Sequence, residues 1–313
     1  MEKKLQWKVF EPKDFSKITK PLLNSPWYGS DTCVANLFFL QKKYDIKMCV
    51  YAGFLFRFYS GTDKNRYGYG FPLKIQDGAD LKTAIQLIID DALSFARPAN
   101  LCLITETQKQ ELENCLTQNF SEYKINFESE RNDSDYVYSR LSLAELKGKT
   151  YHKKKNHVLR FQRIHEGEWT YKSLDDEVAE DIIKVSCQWM KENGNEDLEV
   201  LRMEHESIES SLNARNIFDL TGGVLYIGKK PVAMTVASPI NNKVIDVHFE
   251  KCLTQYATDG GYAAINWCFA NSCTQYDFLN REEDMGVEGL RKAKLSYHPD
   301  IILNKWFGEI KKC

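Results

Sequence analysis

From residue 81 the apolar positions Leu81, Ala84, Ile85, Ile88, Ile89 and Ala92 recur at the spacing of one helix face, a continuous stripe that predicts an amphipathic helix. Asp80 opens it as a capping residue, and Arg97-Pro98 closes it. Before this helix, Asp31 to Leu40 predicts a short helix with Ser30 or Asp31 as cap and Val34, Leu37 and Phe38 inward. Lys47 to Tyr59 is rich in Val, Tyr, Phe and Leu and predicts extended chain broken at Gly53. A turn-like stretch from Asn65 to Gly70 overlaps a second strand signal, Tyr67 to Leu73. After the helix come a short buried strand (Leu101 to Ile104), a helix (Thr107 to Asn119) and a strand (Tyr123 to Glu128). The polar turn Asn132 to Asp135 then leads to a further strand, Tyr136 to Arg140.

The pattern then repeats. A helix with a basic face spans about Tyr151 to Phe161, and Trp169 to Lys172 reads as a strand. Asp175 or Asp176 caps a helix whose Val178, Ile182, Val185 and Trp189 share a face. Another helix lies between Met203 and Asn216. Gly222-Gly223 leads into three strand signals, Val224 to Ile227, Pro231 to Ser238 and Lys243 to Phe249. The linkers Gly228-Lys229-Lys230 and Asn241-Asn242 are short enough for hairpins. Asp259-Gly260-Gly261 precedes a helix through Ala263, Ala264, Trp267 and Ala270. Tyr276 to Leu279 is a strand, and Gly286 to Leu295 a last helix. A helix set between an antiparallel meander and a following strand is the pattern of an acyltransferase-type fold. The expectation is therefore α+β, with two tandem domains of mixed, mostly antiparallel sheets flanked by helices: residues 1–140, and residues 141–313 carrying the site. One large mixed domain is the alternative.

Composition narrows the function. A formal net charge of −2 gives no bulk attraction to nucleic acid or membrane, so any such attraction must come from a local patch. The nine cysteines are scattered without a CxxC pair, which leaves zinc and dithiol chemistry without support and predicts no metal and a reducing cytoplasm. The N-terminus lacks the apolar stretch of a signal peptide, and no run approaches the roughly 20 apolar residues of a membrane span. At most peripheral membrane contact is expected.

Three segments carry candidate chemistry. Between Lys147 and Arg163, seven Lys or Arg fall in 17 residues. At helical spacing Lys153, His157 and Arg160 share a face, as do Lys149, Lys153 and Asn156. With Lys154 these are candidates to hold phosphates, and a solvated helix face is the plain alternative. His248, Glu250 and Lys251 end the third meander strand, where alternation sends His248 and Glu250 to one face and Phe249 to the other. Asn280, Arg281, Glu282, Glu283 and Asp284 follow the last short strand, where open sheets place their sites. Glu282 and Asp284 are the candidate catalytic carboxylates, to hold an ammonium or accept a proton. Asp284 is equally placed to cap the last helix. On that helix Arg291 and Lys294 face together, and Tyr297 follows.

No GxSxG, HExxH or GxxxxGK[ST] motif is present. Gly260-Gly261 before a helix could offer N–H groups to an anion, but Gln255 lies at the wrong spacing for a coenzyme A pyrophosphate turn.

Several stretches together resemble the family of the C-terminal domain of phosphatidylglycerol lysyltransferase. They are Asp135-Tyr-Val-Tyr138, Leu143 to Gly148, Tyr151-His-Lys-Lys-Lys-Asn156-His157, Val247-His248-Phe-Glu250-Lys251, Asn280 to Gly286, and Arg291-Lys-Ala-Lys294-Leu-Ser-Tyr297. The resemblance runs from about residue 65 to the C-terminus. It implies a tandem GNAT-type fold related to Fem-type peptidyltransferases, which take aminoacyl-tRNA as donor. It also implies donor or acceptor binding near Glu250, Lys251, Arg281, Glu282, Asp284, Arg291 and Lys294. The expected partners are an aminoacyl-tRNA or acyl-CoA donor and a small amine or hydroxyl acceptor, with no resident cofactor. An acetyl-CoA-dependent N-acetyltransferase, or a non-catalytic module binding tRNA or a phosphorylated ligand, are the alternatives.

Overall fold

The computed structural model describes residues 4–61, 64–194 and 198–313. The chain divides into two compact units: residues 1–135, 283–287 and 302–313, and residues 136–282 and 288–301.

The first unit begins with helices α1 (Phe15–Leu22), α2 (Asn36–Phe39) and α3 (Gln41–Tyr44). Strands β1 (Lys47–Tyr51), β2 (Phe54–Ser60), β3 (Tyr67–Tyr69) and β4 (Leu73–Lys74) follow, then α4 (Leu81–Ser94), β5 (Ala99–Thr105), α5 (Glu106–Asn119) and β6 (Tyr123–Ser129). Gly53, at φ 80°, makes the tight β1–β2 turn that Lys47 to Tyr59 needs to fold back on itself. Asp80 caps α4 through the Lys82 N–H, and Ala84, Ile85, Ile88, Ile89 and Ala92 are buried as the stripe predicts.

The second unit takes up β7 (Asp135–Ser139), α6 (Arg140–Glu145), the basic helix α7 (Gly148–Ile164), β8 (Trp169–Ser173), α8 (Asp176–Asn193) and α9 (Leu198–Asn213). The meander β9 (Thr221–Ile227), β10 (Lys230–Pro239) and β11 (Val244–Cys252) follows. It leads through α10 (Thr254–Ala257) to α11 (Gly261–Ser272), β12 (Phe278–Asn280) and α12 (Glu288–Leu295). β13 (Ile301–Leu303) straddles the boundary, and β14 (Lys305–Lys312) returns to the first unit.

The first sheet runs β1-β2-β3-β5-β14-β6, with β4 on β2. Its one parallel junction is β3–β5. The second runs β13-β7-β12-β11-β10-β9-β8, and here β12 joins β11 in parallel. In both, a helix (α4 or α11) connects the antiparallel meander to the parallel strand. The second unit's core packs Val178, Ile182 and Val185 of α8 with Ile265 of α11 against Val224, Val232, Met234 and Val236.

Two local expectations change. The helix expected over Asp31 to Leu40 is a single 3₁₀ turn at Ser30–Thr32 followed by the one-turn α2. The side chains expected to cap it are engaged elsewhere. Ser30 donates through N–H and Oγ to Asp135, and Asp31 is buried near Arg57 and Lys305. The expected second domain extends to Cys313, whereas β14 pairs with β5 and β6 in the first unit's sheet. Those partner strands lie far back in the chain, where local periodicity carries no signal.

Candidate active site

β12 pairs with β11 only over Val244–Asp246. From Val247 to Cys252, β11 pairs with β10 alone, and the two parallel strands part. Within that stretch the register against β10 passes from Val236↔Phe249 to Ala237↔Val247, so His248 is the extra residue of a β-bulge. A bulge re-aims side chains and often sits beside a site. It interrupts the strict alternation expected of this strand. His248 turns to Glu282 (Nδ1 to Oε1, 3.4 Å), and Glu250 accepts from Arg281 Nη2 at 2.6 Å.

His248 is fixed on its other sides. Its Nε2 lies 2.7 Å from Ser238 Oγ, and its Nδ1 lies 3.6 Å from Asp246, whose carboxylate is fully buried. The His248 side chain is only 2% exposed, while that of Glu282 is 24% exposed. Of this pair, Glu282 is the member open to solvent.

Glu282 has φ 54°, the left-handed region that a side chain with Cβ adopts at a cost. Several bonds hold it there. Its N–H donates to Asn280 Oδ1 at 2.7 Å, and its carbonyl accepts from the Tyr136 N–H at 3.2 Å. Lys294 Nζ donates to the carbonyls of both Glu282 (3.1 Å) and Arg281 (2.6 Å). Lys294, expected to bind donor or acceptor, is buried and clamps this turn instead, and Asn280 is buried as well. Tyr138 Oη in turn donates to the Lys294 carbonyl at 2.8 Å. Strain of this kind persists only where the surroundings over-determine it.

Arg281 is sandwiched beside the buried ring of Tyr297, its guanidinium carbon 4.9 Å from the ring centroid. Lys154 on α7 reaches the same ring, with Nζ 3.8 Å from the centroid. Burial first, and the Arg281 charge second, push the Lys154 ammonium down to about 8, against a smaller opposite effect of Glu250. Asn266 on α11 completes the cluster, its Nδ2 donating to Glu250 Oε2 at 3.2 Å.

The remaining expected residues fall outside this cluster. Lys251 pairs with Glu204 and lies over the Trp189 ring, 3.6 Å from its centroid. Lys153 and Asn156 are exposed on α7, and Arg291 is half-buried on α12. Asp284 belongs to the first unit, where its Oδ1 accepts the Gly286 N–H at 2.9 Å and Arg131 lies 3.8 Å from Oδ2. It closes a turn ahead of α12, which starts only at Glu288, so it is not that helix's cap. Glu283, in the same unit, pairs with Arg66 at 2.5 Å. The acidic run that looked like one site is thus divided between the units.

Sequence reasoning passed over Ser238, Asp246 and Asn266. The last two had a signal: each is a polar residue inside an apolar run, Val244 to Val247 and Gly261 to Ala270.

The glycines ahead of α11 have a packing cause. Gly260 is its N-cap at φ 107°, and a Cβ there would lie 2.3 Å from the His157 carbonyl oxygen of α7. A Cβ on Gly261 would lie 2.5 Å from Cys252 Sγ. Asp259, just ahead, pairs with His165 at 3.2 Å.

Residues 24–307 match the family described as phosphatidylglycerol lysyltransferase, C-terminal. No curated protein matches the sequence. Among solved structures, a conserved protein of unknown function from Bacteroides thetaiotaomicron VPI-5482 is 31% identical, with TM-score 0.88, over 98% of this chain and all of its own (100%). L-PGS from Bacillus licheniformis is 14% identical, with TM-score 0.62, over 96% of this chain and 93% of its own. A tandem GNAT protein from the clavulanic acid biosynthesis pathway is 8% identical, with TM-score 0.50, over 98% of each chain. The fold is thus the tandem GNAT type that the sequence pattern implied. Among the described residues no helix is long and apolar enough to cross a membrane. The match over most of the sequence places the chain in the family of phosphatidylglycerol lysyltransferase C-terminal domains.

Proposed function

We propose that the second unit transfers an aminoacyl group from aminoacyl-tRNA to a small amine or hydroxyl acceptor. Family and fold support acyl or aminoacyl transfer as the class of reaction. The observation that carries the reading is Glu282: a partly exposed carboxylate on a left-handed backbone, oriented by buried His248 where β11 and β12 part. Glu282 takes the proton of the attacking amine or hydroxyl, and His248 positions it. The acceptor's lone pair attacks the ester carbonyl, the ester C–O bond breaks, and the proton returns to the ribose oxygen that leaves. A backbone N–H of β11 beyond Asp246 faces the oxyanion.

Two features favour tRNA over an acyl-CoA donor. The start of α11 is closed by the His157 backbone and carries Asp259, which repels a pyrophosphate. The outer face of α7 presents Lys149, Lys153 and Arg160 to solvent, a surface suited to several phosphates. The test is binding of charged tRNA, the same tRNA deacylated, and acetyl-CoA, each at two salt concentrations. Tighter binding of charged tRNA, weakening with salt, is expected. Saturable binding of acetyl-CoA with none of either tRNA overturns the reading in favour of an acetyltransferase.

A further inference from the structure

Two cations share the Tyr297 ring, and one carboxylate serves them. Lys154 Nζ and the Arg281 guanidinium both lie against it, and Glu250 is spent on Arg281 at 2.6 Å. No carboxylate pairs with Lys154 within 4.0 Å among the described residues. This cluster thus holds one positive charge in excess, an arrangement that costs free energy until an anion arrives.

Two buried polar atoms are unpartnered as well. Arg281 Nη1, a charged N–H donor, has no acceptor. Asn266 is 1% exposed, and its Oδ1 has no donor although its Nδ2 is engaged by Glu250. One atom awaits an acceptor and the other a donor, and buried groups left in that state cost more than an ordinary hydrogen bond returns. A ligand that carries a carboxylate at one end and an ammonium at the other satisfies both.

We propose, building on the aminoacyl-transfer reading, that the group taken by this unit has an acidic side chain, aspartyl or glutamyl. Its carboxylate lies between Lys154 and Arg281 Nη1, and its α-ammonium meets Asn266 Oδ1 and Glu250. In an aminoacyl ester the α-carboxyl is already esterified, so the free carboxylate is the side chain's. A lysyl side chain would bring a third cation to two that share a single carboxylate. Discrimination therefore comes from repulsion of the wrong side chain as much as from attraction of the right one. The charged groups that face Lys154 are Arg281 and Glu250, together with the Tyr297 ring and, along its own helix, His157. Its ammonium, held down to about 8, loses its proton just above neutrality. Carboxylate binding is therefore full below that pH and falls above it.

The test uses the full chain and the α-amides of glutamic acid, glutamine and lysine, titrated calorimetrically at pH 6.5 and pH 9.5. These probes mimic the esterified carboxyl and read binding without turnover. The acidic amide is expected to bind at least about 10-fold tighter than either neutral or basic amide at the lower pH. The preference shrinks at the higher pH and disappears in Lys154→Gln, whose unfolding midpoint shows that it is folded. Tightest binding of the lysine amide, or an acidic preference unchanged in Lys154→Gln, overturns the proposal. So does inorganic phosphate that displaces the acidic amide at equal concentration, because the anion is then a donor phosphate. Transfer from lysyl-tRNA would sink this inference and leave the transferase reading standing. Amide binding with no transfer from any charged tRNA would do the reverse.

Discussion

Replacing Glu282 by glycine should leave the protein about as stable as before and remove most of its activity. Glu282 sits at φ 54°, where a residue with Cβ pays about 1–2 kcal/mol that glycine does not. Against this stands glycine's greater freedom in the unfolded chain, about 0.5–1 kcal/mol. The lost contact with His248 is made by a carboxylate 24% exposed, worth about 0.5–1 kcal/mol at most. The three effects nearly cancel, so Glu282→Gly should unfold within about 1 kcal/mol of wild type in urea. Glu282→Ala keeps the backbone cost and loses the same contact, so it should be about 1 kcal/mol less stable than the glycine variant. Both should lower kcat/KM for aminoacyl transfer by about 10²-fold or more, because the proton acceptor is gone. Equilibrium urea unfolding and a single-turnover assay with charged tRNA read the two quantities separately. A glycine variant destabilised by more than about 2 kcal/mol would show that the carboxylate is there for the fold. One that is stable and fully active would refute the assignment of Glu282 as the base.

Gly260→Ala should destabilise the second unit by about 2 kcal/mol or more, measured by urea unfolding, because its Cβ would meet the His157 carbonyl oxygen at 2.3 Å and its φ is 107°; a neutral result would mean that α7 yields there and that the start of α11 is open to a ligand. Lys305→Met should cost about 3–5 kcal/mol, since Lys305 Nζ lies 2.6 Å from buried Asp135 and 3.7 Å from buried Asp31. Burial already raises the Asp31 pKa, and loss of the lysine raises it further. An acid whose folded pKa is raised takes up its proton more readily in the native state, so the deficit of Lys305→Met should shrink as the pH falls from 7 towards 5. A deficit that grows over that range would contradict the account.

The helices with full stripes were legible because their burial repeats every turn: α4, α5, α7, α8 and α11 all stand where the pattern put them. α1 was missed because Pro21 reads as a breaker inside the Phe15, Ile18, Leu22 stripe, yet the helix contains it. β14 was missed because its strand register is set by β5 and β6, and its burial does not alternate along the strand. The same limit shaped the site. Periodicity showed that α7 has a basic face, but which lysine turns inward depends on where Tyr297 lies, and that is set by residues far along the chain. Lys154 is inward and Lys153 exposed, a difference of one position that composition cannot see. The run Asn280 to Asp284 was visible as a concentration of charge, whereas its division after Glu282 follows from the Arg66 and Arg131 pairs of the first unit.

The turn after β12 separates scaffold from chemistry. Asn280, Tyr136 and Lys294 bind the backbone of residues 281–282, through two N–H groups and two carbonyls that any side chain would present. The side chains of Arg281 and Glu282 are left to face Glu250 and His248 on β11. Changing the charge at Lys154, or the carboxylate at Glu250, should therefore alter the charge around the Tyr297 ring without releasing the clamp. Loss of Lys294 acts the other way: it leaves two carbonyls without their shared donor and lets the turn relax whatever side chains it carries. The backbone geometry of this turn can therefore be held while the charges around the Tyr297 ring are changed.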